Sequence, residues 1–481
     1  MPPAITASET PERAAVRRAG HPAAPARPGR FTFALSAAVL VFSLMQTLSV
    51  PALPTIGREL GASSLGTGWI LTAFLLAGAV FSPVIGNLGD RFGHRRIMLI
   101  AMLVFAAATL VAAVAPNLGV LLAARVAQGV STATFPLALA LVRAELTGPR
   151  LAAAFGWIPG MIGLGAGLAL VMGGLVVDAL GWRWIFFIGA ALILVAVAFV
   201  LAWVPSGGTG ASARRTDWPG ILLLAGGLVG VLLAVSQGGA WGWASPWTIG
   251  VGIAGILLLA ALVVVELRSP APVVDVRTFR HGPIVLVSLL TVVVGFVPYV
   301  FYVALPILMQ APAGTGYGHG MSVTASALAM LPSAVLVFLG GRLSPWLAAR
   351  LGGGGAAVIA AAVMGIGAGA LAIWPTVPWL VVVAFGVLGF GNGIGYAICS
   401  QLVVTASPAN EVGAATGLNG VVRTIGSASA APVVSALLAA AAVGASDPAN
   451  VFSAAFWVAA GACVLGVVVS IGLRGTTRRT A

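Results

Sequence analysis

The sequence predicts an all-α polytopic membrane protein with fourteen transmembrane helices and both termini on the cytoplasmic side. Three observations lead to this prediction: the composition, the length of the apolar stretches and the positions of the arginines. Of the 481 residues, 60% are hydrophobic and 7% are charged, whereas soluble globular chains contain about 25% charged residues. A chain of this length with so few charges has to be surrounded by lipid.

Fourteen apolar stretches are long enough, at about 20 residues, to cross a hydrocarbon core of about 30 Å as helices. The first is longer than the apolar segment of a cleaved signal peptide, about 7–15 residues, so we expect it to be retained. The predicted spans are residues 32–54, 66–88, 97–115, 118–142, 152–177, 184–204, 218–238, 247–267, 283–310, 322–341, 353–374, 377–402, 412–440 and 451–473.

The basic residues are distributed unequally between the two sides of the predicted membrane. All 24 are arginines, and twenty of them lie in the tails or in the loops on the side of the tails. Arg58 and Arg183 lie on the opposite side, and Arg125 and Arg423 lie within spans. Because basic residues accumulate on the cytoplasmic side, we expect both termini there. The net charge of +13 does not indicate a nucleic-acid partner, since the arginines do not cluster on one face.

The spans group as six, two and six. Two six-helix bundles are typical of a secondary transporter that binds its substrate between the halves, near the midplane of the bilayer. The predicted units are a disordered cytoplasmic tail (1–31), an N-terminal six-helix bundle (32–204), a linker containing two extra helices (205–282), a C-terminal six-helix bundle (283–473) and a second cytoplasmic tail (474–481).

The loop between the second and third spans reads GNLGDRFGHRR at residues 86–96. This segment resembles the G-x-L-a-D-r-x-G-r-k signature of the major facilitator superfamily of secondary transporters, and it lies in the loop where that family carries it. The resemblance implies the major facilitator fold, with a loop that gates the cytoplasmic side. The gating residues that it implies are Gly86, Asp90, Arg91, Gly93, Arg95 and Arg96.

Three further segments resemble the fourteen-helix drug:proton antiporters of that superfamily, so the likeness extends over roughly residues 32–473. Arg125 and Gln128 match an R-x-x-Q-G motif in the fourth span. Asn419 and Arg423 match the n and the R of the E-x-G-x-x-x-G-x-n-x-x-x-R-x-x-G run of this antiporter group. They are four residues apart and therefore share one helix face. The fifth span matches a glycine-rich antiporter motif, whose helix-packing residues are Gly163, Gly165, Gly167, Gly173 and Gly174.

One departure from those antiporters concerns proton coupling. Met45 stands where they carry an aspartate of the first span that takes part in coupling. A proton-coupled carrier normally needs a titratable group inside the membrane, yet the eleven acidic residues all lie in tails, loops or span ends. The resemblance therefore implies proton coupling, while the residues leave its chemical basis open.

Polar and aromatic residues within the spans are the candidates for a substrate and coupling cavity. An arginine at helix-centre depth costs roughly 2.5 kcal/mol or more to insert, so Arg125 and Arg423 are expected to face a partner or a wet cavity. An uncharged polar residue in a span either joins helices or contributes one polar point to a mainly apolar site. The predicted cavity residues are Gln46, Phe74, Arg125, Gln128, Tyr299, Tyr302, Asn392, Tyr396, Asn419 and Arg423.

The function predicted from the sequence is export of amphipathic or hydrophobic small molecules, such as drugs, antibiotics or secondary metabolites, by alternating access and in exchange for protons. Two alternatives stay open: an uncoupled or atypically coupled solute facilitator, and a membrane sensor that has the same fold and does not transport. The sequence lacks HExxH, GxSxG and a Walker lysine, so we expect no enzymatic activity.

The remaining expectations concern surroundings and partners. We expect a multi-pass protein of a bacterial plasma membrane, with a small-molecule substrate and the lipid bilayer as its partners. We expect a monomer that binds no nucleic acid, no metal and no cofactor, and that uses the proton gradient as its energy source.

Overall fold

The computed structural model describes residues 28–205, 217–269, 272, 277, 282–315, 317–406, 412–440 and 448–477. These residues are almost entirely helical, and no β-strand occurs among them. Numbered in chain order, the helices are α1 Pro28–Thr47, α2 Leu53–Glu59, α3 Ser64–Phe92, α4 His94–Ala113, α5 Leu118–Gln128, α6 Thr134–Glu145, α7 Gly148–Leu180, α8 Arg183–Trp203, α9 Trp218–Trp241, α10 Pro246–Arg268, α11 Gly282–Gln310, α12 Val323–Ile373, α13 Pro378–Ala406, α14 Val412–Ala440 and α15 Pro448–Thr477.

The described residues contain thirteen helices that are long and apolar enough to cross a membrane. The longest, α12, has 51 residues and comprises two spans, because the backbone at Gly352 leaves the helical region with φ +72°. Glycine adopts such a positive φ without the steric cost that a side chain would bring. The predicted all-helical class with fourteen spans is therefore confirmed, although the predicted loop between 341 and 353 is helical up to Gly352. The orientation of the termini stays a prediction.

Local chemistry sets the helix ends. Side-chain oxygens of Ser63, Asn117 and Asp217 accept the first free backbone N–H groups of α3, α5 and α9, at 3.2, 3.0 and 2.9 Å. Such N-caps replace the hydrogen bonds that the first turn of a helix lacks. Gly93 and Gly181, with φ +94° and +89°, follow the last turns of α3 and α7 and permit the sharp change of direction there.

The first span differs from its predicted range, 32–54. Helix α1 begins at Pro28 and ends at Thr47. Pro51 and Pro54 follow within seven residues, and because proline has no backbone N–H it cannot continue the hydrogen-bond ladder of a helix. The chain turns at residues 48–52 and continues as the short helix α2.

The fourth predicted span, 118–142, is divided into α5 and α6 by a tight 3₁₀ turn at Gly129–Ala133. Pro136 cannot donate a hydrogen bond to the carbonyl four residues earlier, which weakens the ladder at this point. A Cβ atom at Gly129 would lie 2.6 Å from the Cβ of Ala77. The glycine therefore allows the turn to lie directly against α3.

The helices pack as two groups and a peripheral pair. The N-group is α1–α8 and the C-group is α11–α15, and the two groups meet where α3 packs on α14 and where α7 packs on α12. The peripheral pair is α9 and α10, of which α9 packs against α3 and α14. Whether the groups correspond to separate domains with the predicted boundaries stays a prediction.

The peripheral pair covers the seam between α3 and α14. Leucines four residues apart on α9 are buried in one cluster with Phe74 of α3 and Ala428 of α14; they are Leu224, Leu228 and Leu232. Helix α10 lies further out and carries many exposed apolar side chains, such as Ile253, as expected of a surface in contact with lipid. We call the side where α1 begins and α15 ends the terminal side, and the opposite side the far side.

Candidate functional site

Arg125 is completely buried within the N-group. Its Nε atom donates to the carbonyl of Ile70 in α3 at 2.9 Å, and its Nη1 atom donates to Oε1 of Gln128 at 2.9 Å. The guanidinium group lies 4.6 Å from the centroid of the Phe74 ring, where the negative face of the ring attracts a cation. Arg125 is therefore held inside the helix bundle rather than extended to the membrane surface.

Gln128 connects Arg125 to α4. Its Nε2 atom donates to Oγ1 of Thr109 at 2.9 Å, and the Thr109 hydroxyl donates to the carbonyl of Phe105 at 2.7 Å. This chain fixes the amide of Gln128 and, through it, the plane of the guanidinium group. The Nη2 atom of Arg125 is buried without a hydrogen-bond partner. Since an unsatisfied buried donor is costly, Nη2 is a ready donor for a bound molecule.

Gln46 and Tyr299 join the two groups. The Nε2 atom of Gln46, in α1, donates to the hydroxyl of Tyr299, in α11. The Tyr299 ring packs edge-to-face on Tyr302 at 5.4 Å, and Tyr302 packs in the same way on Phe385 of α13 at 5.9 Å. Tyr299 also packs against the cluster that contains Phe74. A chain of ring contacts thus runs from Tyr299 through Tyr302 to Phe385 of α13.

Arg423 of α14 supplies the second charge near this surface. Its guanidinium group lies 4.5 Å from the ring centroid of Tyr396. Arg423 lies against α11 one turn before Tyr299, where a Cβ atom at Gly295 would lie 3.2 Å from the Cγ atom of Arg423. In the described part of the chain, neither arginine forms an ion pair with a carboxylate. The structure therefore brings together most of the predicted cavity residues around two guanidinium groups and an aromatic surface.

The two predicted asparagines lie in interhelical hydrogen bonds. Pro298 has no N–H, which leaves the carbonyl of Val294 without its helical partner, and Nδ2 of Asn392 donates to that carbonyl at 2.9 Å. Nδ2 of Asn419 donates to the hydroxyl of Thr291 at 2.7 Å. Both side chains are buried and hold α11 in place. Their contacts correspond to the helix-joining alternative stated for polar residues in spans.

Met45 lies against α8. Its side chain is 1% exposed, and a Cβ atom at Gly189 would lie 2.2 Å from its sulfur atom. The absence of a side chain at Gly189 therefore makes the space for Met45. The position where the antiporters carry an aspartate is occupied here by a packed apolar side chain.

Acidic residues are absent from the middle of every described span. Those within the described ranges lie at helix ends or N-caps: Glu59, Asp90, Glu145, Asp178, Asp217 and Glu266. His319 lies in the far-side loop after α11, where burial lowers the pKa of its imidazole while the carbonyls of Pro375 and Thr376 oppose that shift. The described spans offer no carboxylate or histidine at mid-depth for carrying protons.

The predicted gating loop forms the junction of α3 and α4. Gly93 has φ +94°, a conformation that favours glycine. Nη2 of Arg95 donates at 3.0 Å to a carbonyl in the last turn of α8, an end where helix dipoles favour cations. The side chain of Asp90 lies outside the described residues. The other loop residues are exposed arginines or an unobstructed glycine: Arg91, Arg96 and Gly86.

The glycines of α7 face two different helices. A Cβ atom at Gly165 or Gly173 would lie 2.7 or 2.6 Å from backbone carbonyls of α1. A Cβ atom at Gly174 would lie 2.8 Å from Cα of Thr324 in α12, and one at Gly167 would lie 3.3 Å from a side chain of α12. Gly163 has no atom within 4 Å of such a position. Glycines therefore let α7 approach α1 within its own group and α12 of the other group.

Two hydrogen bonds close the far side between the groups. Nε2 of Gln310 donates to the carbonyl of Pro51 at 2.8 Å, and the backbone N–H of Thr324 donates to Oδ2 of Asp178 at 2.7 Å. Asp178 of the N-group thus caps the first turn of α12 in the C-group. A third inter-group hydrogen bond joins Gln46 and Tyr299. The described conformation is therefore closed at the far side.

Sequence reasoning missed the roles of Asp178 and Thr109. Asp178 was expected to be only a charge at a span end, and because its partner is a backbone N–H 146 residues away, no side-chain pattern reveals the pair. Thr109 is a polar residue in an otherwise apolar span. A polar residue in an apolar span, together with the R-x-x-Q-G motif of the next span, is the sequence signal that could have identified Thr109 as a partner of Gln128.

Comparison with known proteins gives one family. Residues 35–431 match the family model described as Major Facilitator Superfamily. The chain is 28% identical over 428 residues to a tetracenomycin C resistance and export protein of Streptomyces glaucescens, a match that covers 86% of this chain and 76% of that protein. It is 34% identical over 305 residues to puromycin resistance protein pur8 of Streptomyces alboniger, covering 61% of this chain and 60% of that protein.

Solved structures share the fold. The nucleoside transporter NupG aligns with a TM-score of 0.65 at 14% identity, over 92% of this chain and 99% of NupG. The human organic anion transporter MFSD10 aligns with a TM-score of 0.59 at 16% identity, over 91% of this chain and 99% of MFSD10. At these identities the likeness concerns the architecture of the helices.

The contact between Gly174 and α12 gives a first prediction. Gly174→Val places methyl groups against the α12 backbone, so the far side is expected to separate. Spin labels at Pro116 and Ala313, exposed positions on the far side of the two groups, should report an increased distance. Gly163→Val, on the same helix and facing open space, is the matched control and should leave the distance unchanged. Equal distances in the two variants would contradict the described interface.

The cap from Asp178 to α12 gives a second prediction. Removing a helix cap costs about 0.5–2 kcal/mol, so Asp178→Ala should lower the ratio of molecules closed to molecules open at the far side about two- to thirtyfold. The same label pair measures this population by the relative weight of the short distance. Asp178→Asn keeps an acceptor oxygen and should show a smaller change than Asp178→Ala.

Proposed function

The chain belongs to the Major Facilitator Superfamily, and we propose that it exports amphipathic or hydrophobic small molecules from the cytoplasm by alternating access. It is a multi-pass transporter of the plasma membrane, as are its bacterial relatives. The observation that carries the proposal is the contact of Gln46 with Tyr299 across the two groups, beside the cluster that includes Phe74, over whose ring Arg125 lies. A site shared by both groups changes its exposure when the groups rock against each other.

The composition of the site fits an amphipathic molecule. The half-buried rings of Tyr299, Tyr302 and Tyr396 supply aromatic surface, while their hydroxyls and the guanidinium groups supply a few polar points. Sites for small organic molecules combine these two elements. The relatives named for resistance to tetracenomycin C and puromycin support export of compounds of this kind.

The closed far side fits the loading step of export. If the termini lie in the cytoplasm, as the arginine distribution predicts, the far side is extracytoplasmic. The contacts of Gln310 and Asp178 then seal the site from the outside while a molecule enters from the cytoplasm. Release requires these contacts to break and the terminal side to close, with Asp90 of the gating loop as the proposed latch of that closed state.

The energy source has two candidates. Exchange for protons is what the resemblance to drug:proton antiporters implies. Transport without protons is favoured by Met45, which occupies the usual aspartate position as a packed side chain, and by the lack of a carboxylate at mid-depth in the described spans. In either case the site is proposed to act in a monomer without a cofactor, and the chain is proposed to have no enzymatic activity.

An efflux assay tests the proposed function. Cells that express the chain should retain less of at least one compound from a panel of dyes and antibiotics than cells without it. Arg125→Ala should reduce this efflux about five- to 150-fold, because it removes the buried cation and leaves Gln128 without its donor, a loss of about 1–3 kcal/mol. Arg350→Ala is the matched control, since Arg350 is exposed and lies over the Trp346 ring. A wild type that exports no compound, or equal efflux in the two variants, would contradict the proposal.

A further inference from the structure

The guanidinium groups of Arg125 and Arg423 carry positive charge that the surrounding protein does not neutralise. Both residues lie within spans, and neither is paired with a carboxylate in the described part of the chain. Arg125 is fully buried, with Nη2 unbonded. We propose that the molecule bound between them is an organic anion, an aromatic carboxylate or phenolate, and this inference rests on the proposed export function.

The donors at the site match the acceptors of such an anion. Nε and Nη1 of Arg125 are already engaged by Ile70 and Gln128, so these bonds orient the guanidinium plane without using all of its donors. A guanidinium group binds carboxylate and phenolate oxygens through short, charge-assisted hydrogen bonds. The free Nη2 is therefore a preoriented donor for an anionic oxygen.

The aromatic rings favour a planar molecule. The guanidinium groups lie over Phe74 and Tyr396 at 4.6 and 4.5 Å, so each presents one face to a ring. Tyr299 adds a ring in contact with Tyr302. Aromatic rings pack on one another with centroids 4.5–7 Å apart. A planar anion can accordingly stack on this surface while its charged oxygen meets an arginine.

The positive charge of the two arginines makes binding depend on the charge of the substrate. Attraction between opposite charges increases as the local dielectric constant falls, and the site lies among apolar helices. A bound anion offsets the charge of the arginines, a neutral molecule leaves it unchanged, and a cation is repelled. The structure thus assigns anions as the preferred substrates over neutral and cationic compounds of the same shape.

Binding of a matched pair of probes tests this assignment. The purified full chain in lipid nanodiscs is titrated with anthraquinone-2-carboxylate and with its uncharged methyl ester. The carboxylate is expected to bind at least tenfold more tightly than the ester. Arg423→Gln and Arg125→Gln should each weaken carboxylate binding at least tenfold and should remove the preference for the carboxylate over the ester.

Two further variants separate charge from folding. Arg125→Lys keeps the charge and should retain more carboxylate affinity than Arg125→Gln, while Arg350→Gln, at the exposed ring pair, should match the wild type. Equal or tighter binding of the ester, or no binding of either probe, would overturn the assignment. If cells export cationic dyes of the efflux panel while the carboxylate does not bind, the anion inference fails and the export function stands. If no compound is exported, the proposed export function is overturned, and the anion inference falls with it.

Discussion

The burial of a positive charge among apolar helices is the constraint on which the arrangement of the site depends. An arginine at this depth is costly unless its donors are satisfied. Arg125 meets this requirement through a backbone carbonyl of α3, the amide of Gln128 and the face of Phe74. Gln128 in turn needs Thr109 of α4. Three helices of the N-group are therefore held in register by one side chain, and its Nη2 atom stays buried without a hydrogen-bond partner.

The moving parts are built in the opposite way, with few polar contacts and many glycines. Helix α7 approaches both α1 and α12 through positions where a side chain would collide with backbone. Close contact without interlocking side chains permits two surfaces to separate and meet again. The far side is then fastened by two hydrogen bonds, from Gln310 and to Asp178. A seal of this strength is broken at modest cost, as an alternating-access cycle requires.

Much of the fold and part of the site could be predicted from the sequence. Hydropathy and arginine positions gave the number of spans, and motif spacing identified Arg125, Gln128 and Arg423. The division of the fourth span was not foreseen, because it depends on the contact of Gly129 with α3. The role of Asn392 was equally hidden. Its partner is the carbonyl of Val294, which lies 98 residues away and which Pro298 leaves without a helical hydrogen bond. Partners that are backbone atoms of distant helices leave no side-chain pattern to read.

An anionic substrate would change the energetics of export, because moving one negative charge outward across an inside-negative membrane releases about 2.3 kcal/mol per 100 mV. The most direct measurement is the current that proteoliposomes containing the full chain produce on a solid-supported membrane when anthraquinone-2-carboxylate is added at equal pH on both sides. The account predicts a current with the sign of moving anions, lost in Arg423→Gln. A current that appears only with a pH gradient, or that has the opposite sign, would contradict it.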